Sequence, residues 1–208
     1  MKKIEIMTQD GNVNVSGKFT PAELCQEILD KIDVVDKKIL TFNIEFVLTL
    51  VHKYNVKKPN ITIYTDDDII RGICERCGVK SIDTMEPNMK FDVVIGNPPY
   101  QAPKKNDKRG TGGNNSLYIK FINKAVDTVK AGGVISLITP PAAIVKTTIL
   151  HKPTPTLAYL MKNGSIESID FTAKKHFPSV GSAICKWSFV KDKRQGPVAV
   201  SYTHLTLP

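Results

Sequence analysis

Three features of the chain predict an α/β fold with a mostly parallel sheet and helices on both faces. Short apolar runs alternate with segments of helical periodicity from residue 22 to residue 190, and such alternation builds a parallel sheet covered on both sides. Residues 116–129 place Leu117 and Phe121 on one helical face within an amphipathic segment. The run Phe91-Asp92-Val93-Val94-Ile95-Gly96 stops at Asn97-Pro98-Pro99-Tyr100. A carboxamide, two prolines and an aromatic ring then sit at the carboxyl end of a buried strand, where open α/β sheets bind their ligands.

The elements follow in order. Residues 1–16 read as a short polar strand or hairpin with Gly11-Asn12 as its turn. Thr20 is placed to cap a helix over 22–32, with Pro21 at the first helical position. Glu23, three residues on, completes a capping-box pattern, and Leu24, Ile28, Leu29 and Ile32 form the apolar face. Residues 38–43 are predicted as the first strand and 44–54 as the following helix. Residues 60–65 form the second strand, ending in Asp66-Asp67-Asp68, and a helix over 69–77 stops at Gly78. Residues 79–82 and 90–95 are the third and fourth strands, and 101–115 form a loop rich in glycine, asparagine and lysine. The helix over 116–129 is expected to end at Ala131-Gly132-Gly133. A buried strand over 134–139 stops at Pro140-Pro141, and two later strands cover 166–171 and 183–190.

The 208 residues suit one domain with a full core. A hydrophobic content of 41% and a charged content of 24% are ordinary for a soluble globular protein. No apolar run reaches the ~18 residues of a membrane span, and Met1-Lys2-Lys3 is not followed by an apolar leader segment. Cysteines 25, 74, 77 and 185 imply no disulfide framework, so a cytoplasmic protein is expected. Cys74-Glu75-Arg76-Cys77 lacks a second pair to close a four-ligand zinc site, and no metal is expected. The net charge of +9 favours a polyanionic partner, nucleic acid first. Lys104, Lys105, Lys108 and Arg109 are placed to contact phosphate.

The residues around position 97 suit methylation of a planar amino nitrogen. Such a nitrogen is a poor nucleophile while its lone pair is conjugated. The Asn97 side-chain oxygen and the Pro98 carbonyl are able to accept its two hydrogens and favour a pyramidal, attacking form. Tyr100 offers a stacking face, and the prolines stiffen the turn. Here the chain resembles the amino-methyltransferases that use S-adenosylmethionine, whose motif Asn/Asp-Pro-Pro-Tyr/Phe/Trp closes the fourth strand of a Rossmann-like sheet. More specifically, residues 17–193 are similar to the N6-adenine DNA methyltransferases of restriction-modification systems.

That resemblance implies roles residue by residue. Phe19-Thr20-Pro21 matches the segment that touches the methionine end of the cofactor. Asp66 stands where an acid binds the ribose hydroxyls, with Asp67 close behind, and Asp83 where an acid binds the adenine amino group. Phe121 matches the aromatic that packs on the cofactor adenine. Residues 176–183 resemble the segment whose aromatic, here Phe177, covers a flipped target base from the side away from Tyr100. An exposed position is expected for Phe177, and flipping is required because a paired adenine hides its amino group. One departure is plain: the family's first strand ends in Asp/Glu-Pro-x-x-Gly-x-Gly, whereas this chain reads Thr41-Phe42-Asn43-Ile44-Glu45, with no glycine from Lys18 to Arg71. Glu45 is the residue placed to replace the missing acid.

The implied organisation is an N-terminal segment over 1–33 with the cofactor helix motif and a catalytic core over 34–199. Residues 200–208 resemble the translation of a sequencing adaptor, and they are expected to be non-native. A target-recognition domain or a restriction subunit is expected outside this chain. The function implied is site-specific methylation of adenine N6 in double-stranded DNA. The alternatives are a non-catalytic DNA-binding relative that lost its cofactor, and a methyltransferase acting on protein glutamine or on an RNA base.

Overall fold

The fold is set by strands whose alternate residues face two separate cores. Ile39, Val93 and Ile95 point to one side, and Leu40 and Val94 to the other, the period of two inherent to a pleated strand. The structure is a computed structural model that describes residues 19–86, 88–100, 117–145, 153–178, 180–193 and 196–202. The strands are β1 (Ile39–Thr41), β2 (Ile61–Tyr64), β3 (Lys80–Ile82), β4 (Phe91–Gly96), β5 (Val129–Thr139), β6 (Gly164–Asp170), β7 (Cys185–Lys191) and β8 (Ala199–Ser201). They form one sheet in the order β3-β2-β1-β4-β5-β7-β6-β8. The pairs from β3 through β5 are parallel, and β7 runs antiparallel to both β5 and β6.

One face is covered by α1 (Ala22–Leu29), α2 (Ile44–His52) and α3 (Asp68–Arg76). The other is covered by α4 (Leu117–Thr128), α5 (Ala142–Val145) and α6 (Pro155–Asn163). The order of strands reverses direction at β1 and β4, which places a crevice over their carboxyl ends. Trp187 lies deep in the second core, and its indole N–H is satisfied by Thr139 Oγ1 at 3.0 Å.

Four local expectations are corrected. Thr20 does not cap α1: the cap position is Pro21, without a side-chain bond, because the Thr20 hydroxyl is engaged elsewhere. Helix α1 ends at Leu29, and Lys31 and Ile32 continue only as turns. Ala131-Gly132-Gly133 does not terminate α4. The helix stops at Thr128, Val129 already pairs with Phe91, and the glycines form a bulge inside β5, with Gly132 at φ +71°. Finally, the structure adds α6, over residues to which the sequence reading gives no helix, capped by Thr154 accepting from Leu157 N at 3.2 Å. The proposed hairpin over 1–16 lies outside the described residues. Of residues 200–208, expected to be non-native, Val200 and Ser201 pair with β6 as part of β8, Tyr202 stacks on Phe171 at 4.9 Å, and the rest lies outside the described residues.

An ionic cluster ties the first helix to the end of the sheet. Glu27 of α1 accepts from Lys186 Nζ of β7 at 2.6 Å and from Lys175 Nζ at 3.1 Å, and lies 3.2 Å from His176 Nε2. Lys186 is buried and also meets Asp170 at 3.3 Å. Burial would raise the Glu27 carboxyl, but the hydrogen bonds and charges of Lys186 and Lys175 outweigh it and bring it down to about 2. A depressed carboxylate stabilises the fold above its unfolded value near 4.5, and that contribution fades as pH falls towards 2. Lys186→Ala, which leaves Asp170 without its lysine and Glu27 with only Lys175 and His176, is expected to cost about 2 kcal/mol in urea unfolding at pH 7. The deficit against the natural chain should shrink as the titration is repeated between pH 5 and pH 3; a deficit independent of pH would show that Glu27 is not its source.

Candidate active site

The turn after β4 projects Asn97, Pro98, Pro99 and Tyr100 from the carboxyl edge of the sheet. Together with Phe177, Val180 and Ile184 they line a cavity of about 290 Å³. Five residues singled out in the sequence are therefore brought to one place by two distant segments. Phe177 differs from expectation in being buried, at 6% exposure, because it packs into the core beneath α1 while still lining the cavity. Tyr100 is half-buried with its ring edge-on to Tyr118, centroids 6.3 Å apart. Among the described residues its hydroxyl has no hydrogen-bond partner. Burial, reinforced by Cys185, pushes it well above the ordinary phenol range, so Tyr100 meets the cavity as a neutral aromatic surface.

Asn97 is fixed from two sides. Its backbone N–H donates to Asn43 Oδ1 at 2.6 Å, and its carbonyl accepts from Asn43 Nδ2 at 3.1 Å. Its own Nδ2 lies 3.4 Å from Thr20 Oγ1. Thr20 is 2% exposed, and its N–H donates to Glu45 Oε1 at 3.2 Å. Burial raises the Glu45 carboxyl, against lowering by backbone donors including Thr20. Of the expected N-terminal triad, Thr20 thus reaches the site, Pro21 sits at the head of α1 with its carbonyl accepting from Leu24 and Cys25, and Phe19 is exposed.

The remaining residues line the crevice further along. Phe121 is buried and meets Phe42 and Tyr64 edge to face, at 5.1 and 5.3 Å. Asp66 is exposed just past β2, whereas Asp67 is spent capping α3, accepting from Ile69 N and Ile70 N. Asp83 follows β3, more than half exposed, and lies 3.7 Å from Arg71. Burial raises the Tyr64 hydroxyl at the end of β2, and the charges of Asp66 and Asp83 raise it further. Lys104, Lys105, Lys108 and Arg109 lie outside the described residues. Among the described residues no group of three or more His, Cys, Asp or Glu is arranged to hold a metal ion, and no helix is long and apolar enough to cross a membrane.

Asn43 and Phe42 were not singled out from the sequence. The signal was the two-residue step from β1 to α2, too short for a glycine loop and ending in an amide. Both pack against Gly96, where an added Cβ would lie 2.9 Å from Phe42 Cδ2 and 3.0 Å from Asn43 Oδ1.

The strand order and the crevice define a class I, S-adenosylmethionine-dependent methyltransferase fold. A protein from Listeria monocytogenes described as a class I S-adenosylmethionine-dependent methyltransferase matches at TM-score 0.63 and 18% identity, over 96% of this chain and 70% of that one. The type IIG restriction endonuclease BpuSI matches at 0.60 and 15% identity, over 86% and 25%. The type I restriction enzyme EcoKI M protein matches at 0.55 and 13%, over 84% and 44%. Within that class, residues 21–177 match the Eco57I restriction-modification methylase family, and the chain belongs to it. Modification methylase CviBIII of Paramecium bursaria Chlorella virus NC1A is 29% identical over 100 residues, 46% of this chain. The match spans only a quarter of that relative's length.

S-adenosylmethionine is the cofactor expected of this fold. The acceptor set fits it at one end: Asp66 and Asp83 offer exposed carboxylates to hydroxyls and an amino group. Glu45 and Thr20 supply polar atoms at the other. Between them the end of β1 presents the side chains of Phe42 and Asn43 instead of bare glycine backbone.

Gly96 is the tightest point of this arrangement, with φ at +151° and no room for a methyl group. Gly96→Ala is expected to lower stability by about 2 kcal/mol or more, because strain and overpacking coincide there. Gly181, with nothing near its Cβ position, is the control: Gly181→Ala should leave the thermal midpoint within a degree or so of the natural chain, in scanning calorimetry.

Proposed function

We propose that this chain is the catalytic core of a DNA methyltransferase that modifies the N6 amino group of adenine in double-stranded DNA, as part of a restriction-modification system. The observation that carries the reading is the fixed carboxamide of Asn97 on the rim of a cavity walled by Tyr100 and Phe177. Membership of the restriction-modification methylase family supports DNA as the substrate. The net charge of +9 suits a polyanion.

In this reading an adenine leaves the duplex and enters the cavity, stacking on Tyr100 with Phe177 as a second wall. Stacking of that kind returns part of the unpairing energy, about 1–3 kcal/mol per base. Thr20 holds the Nδ2 end of the Asn97 amide, so Oδ1 is the end that accepts a hydrogen from the adenine amino group. The Pro98 carbonyl accepts the second. Both contacts strengthen as the nitrogen pyramidalises and gains positive charge, so they favour the transition state over the ground state. When bound, S-adenosylmethionine supplies the electrophilic methyl. Asp66 and Asp83 hold its nucleoside, with Phe121 beneath, and Thr20 and Glu45 take its amino-acid end.

A second reading, a relative that binds DNA without catalysis, is favoured by one observation: Phe42 and Asn43 fill the place of the glycine loop. Calorimetric titration with S-adenosylmethionine separates the two. Binding weakened about tenfold by Asp83→Ala supports the enzyme, and no binding by the folded natural chain supports the non-catalytic relative. For catalysis itself, Asn97→Ala is expected to slow methyl transfer to adenine about 100-fold or more, followed by mass spectrometry of DNA digests, with cofactor affinity nearly unchanged. Transfer by Asn97→Ala at the natural rate, or methyl appearing on protein glutamine or on RNA in place of DNA adenine, would overturn the reading.

A further inference from the structure

We infer that Asn43 is the positioning residue for the catalytic turn, doing with its side chain what the sheet no longer does with backbone. The inference rests on the role just proposed for Asn97. The parallel ladder between β1 and β4 ends at Thr41 opposite Ile95, and the ladder between β4 and β5 ends at Gly96 opposite Leu137. Asn97 is the next residue, beyond both. The chain leaves β1 and enters α2 at Ile44, so on the β1 side no strand continues beside Asn97, although β5 runs on to Thr139 on the other. The Asn43 carboxamide stands in that gap. Its Oδ1 accepts from Asn97 N–H at 2.6 Å and its Nδ2 donates to the Asn97 carbonyl at 3.1 Å. One side-chain amide has the same donor and acceptor as a peptide group, so it continues the ladder by one step.

Asn43 is itself braced. Its backbone is extended, at φ −140° and ψ 138°, and Thr41 Oγ1 lies 3.4 Å from its N–H. Its side chain and the Phe42 ring fill the room above Gly96, so the turn cannot slide towards β1. Two hydrogen bonds to consecutive polar groups of one residue fix the peptide planes on both sides of Asn97. That sets the direction in which its side chain leaves the backbone, and with it the atom meeting the amino group. Errors of about 1 Å at such a group cost on the order of 100-fold in rate. No other uncharged residue of this length offers both a donor and an acceptor. Aspartate offers two acceptors, one of them turned on the Asn97 carbonyl.

The test uses the full chain and Asn43→Asp. At pH 8 the carboxylate keeps the bond from Asn97 N–H and opposes the Asn97 carbonyl. Backbone amide exchange at Asn97, read by NMR, is expected to run about tenfold faster than in the natural chain. The turnover number for DNA adenine should fall about tenfold or more, with KM for DNA within about twofold. Both ratios to the natural chain should narrow as pH falls towards 5, since protonation returns a donor to face the carbonyl. Unchanged exchange at Asn97, or a loss that ignores pH and equals that of Asn43→Leu, would overturn the inference. Should Asn43→Asp not fold, Asn43→Ser keeps one of the two bonds and should give intermediate protection of Asn97; full protection there counts against the inference. Exchange is measured without cofactor or DNA. A natural chain that methylates nothing would therefore remove the proposed function while leaving the hydrogen-bond clamp decided on its own.

Discussion

A strand that ends in a working turn leaves its last backbone groups without a ladder, and the site depends on how that deficit is met. Buried N–H and C=O groups need partners, yet on the β1 side the strand has already given way to α2 where Asn97 begins the turn. The chain resolves the conflict with a side chain. The Asn43 amide pairs both backbone groups of Asn97 and occupies far less space than a strand would. Around this pair, Thr20 is drawn inward to the Asn97 side chain, Glu45 is drawn to Thr20, and Gly96 is held bare by Phe42.

The same demand explains what the sequence does and does not disclose. The chain contains Thr-Pro at 20–21 and again at 154–155, and each stands before a helix. The local code is identical, and Thr154 obeys it by capping α6. Thr20 does not, because a partner 77 residues away claims its hydroxyl. Capping is a local preference of about 1 kcal/mol, so tertiary bonding is able to override it, and no window of sequence reveals that it will. The strand before residue 97 was legible because its apolar run and its polar stop are adjacent. Asn43 was not, because its partner lies 54 residues on. The glycine-poor first loop was visible as a departure, but what replaced the glycines appears only when β1 and β4 lie side by side.

Legibility fails in a second way at Phe177. Its neighbours Pro178 and Gly181 suggest an exposed loop, yet Phe177 is buried. The cause is the ionic cluster beneath it. Lys175 and His176, immediately before Phe177, meet Glu27 of α1, and Lys186 of β7 meets the same carboxylate. The segment is pulled onto the first helix, and Phe177 goes with it into the core between them. A half-buried charge cluster of this kind contributes less to stability than an apolar one of equal volume, but it is directional, and direction is what a loop without regular structure lacks.

These two sets of bonds have one consequence in common. Thr20 lies just before α1, Glu27 lies within it, and the two residues reach different walls of the site: Thr20 the carboxamide of Asn97, Glu27 the segment that carries Phe177. The first turn of chain before α1 and the helix itself therefore link the Asn97 side chain to the segment that carries Phe177. The Asn97 backbone stays fixed to the sheet by Asn43, so α1 is in turn held in place at both of its contacts. One wall of the cavity is thus tied to the sheet through the Asn97 backbone and to α1 through the Asn97 side chain, and the other is tied to the same helix through Glu27, so neither wall rests on its own loop alone.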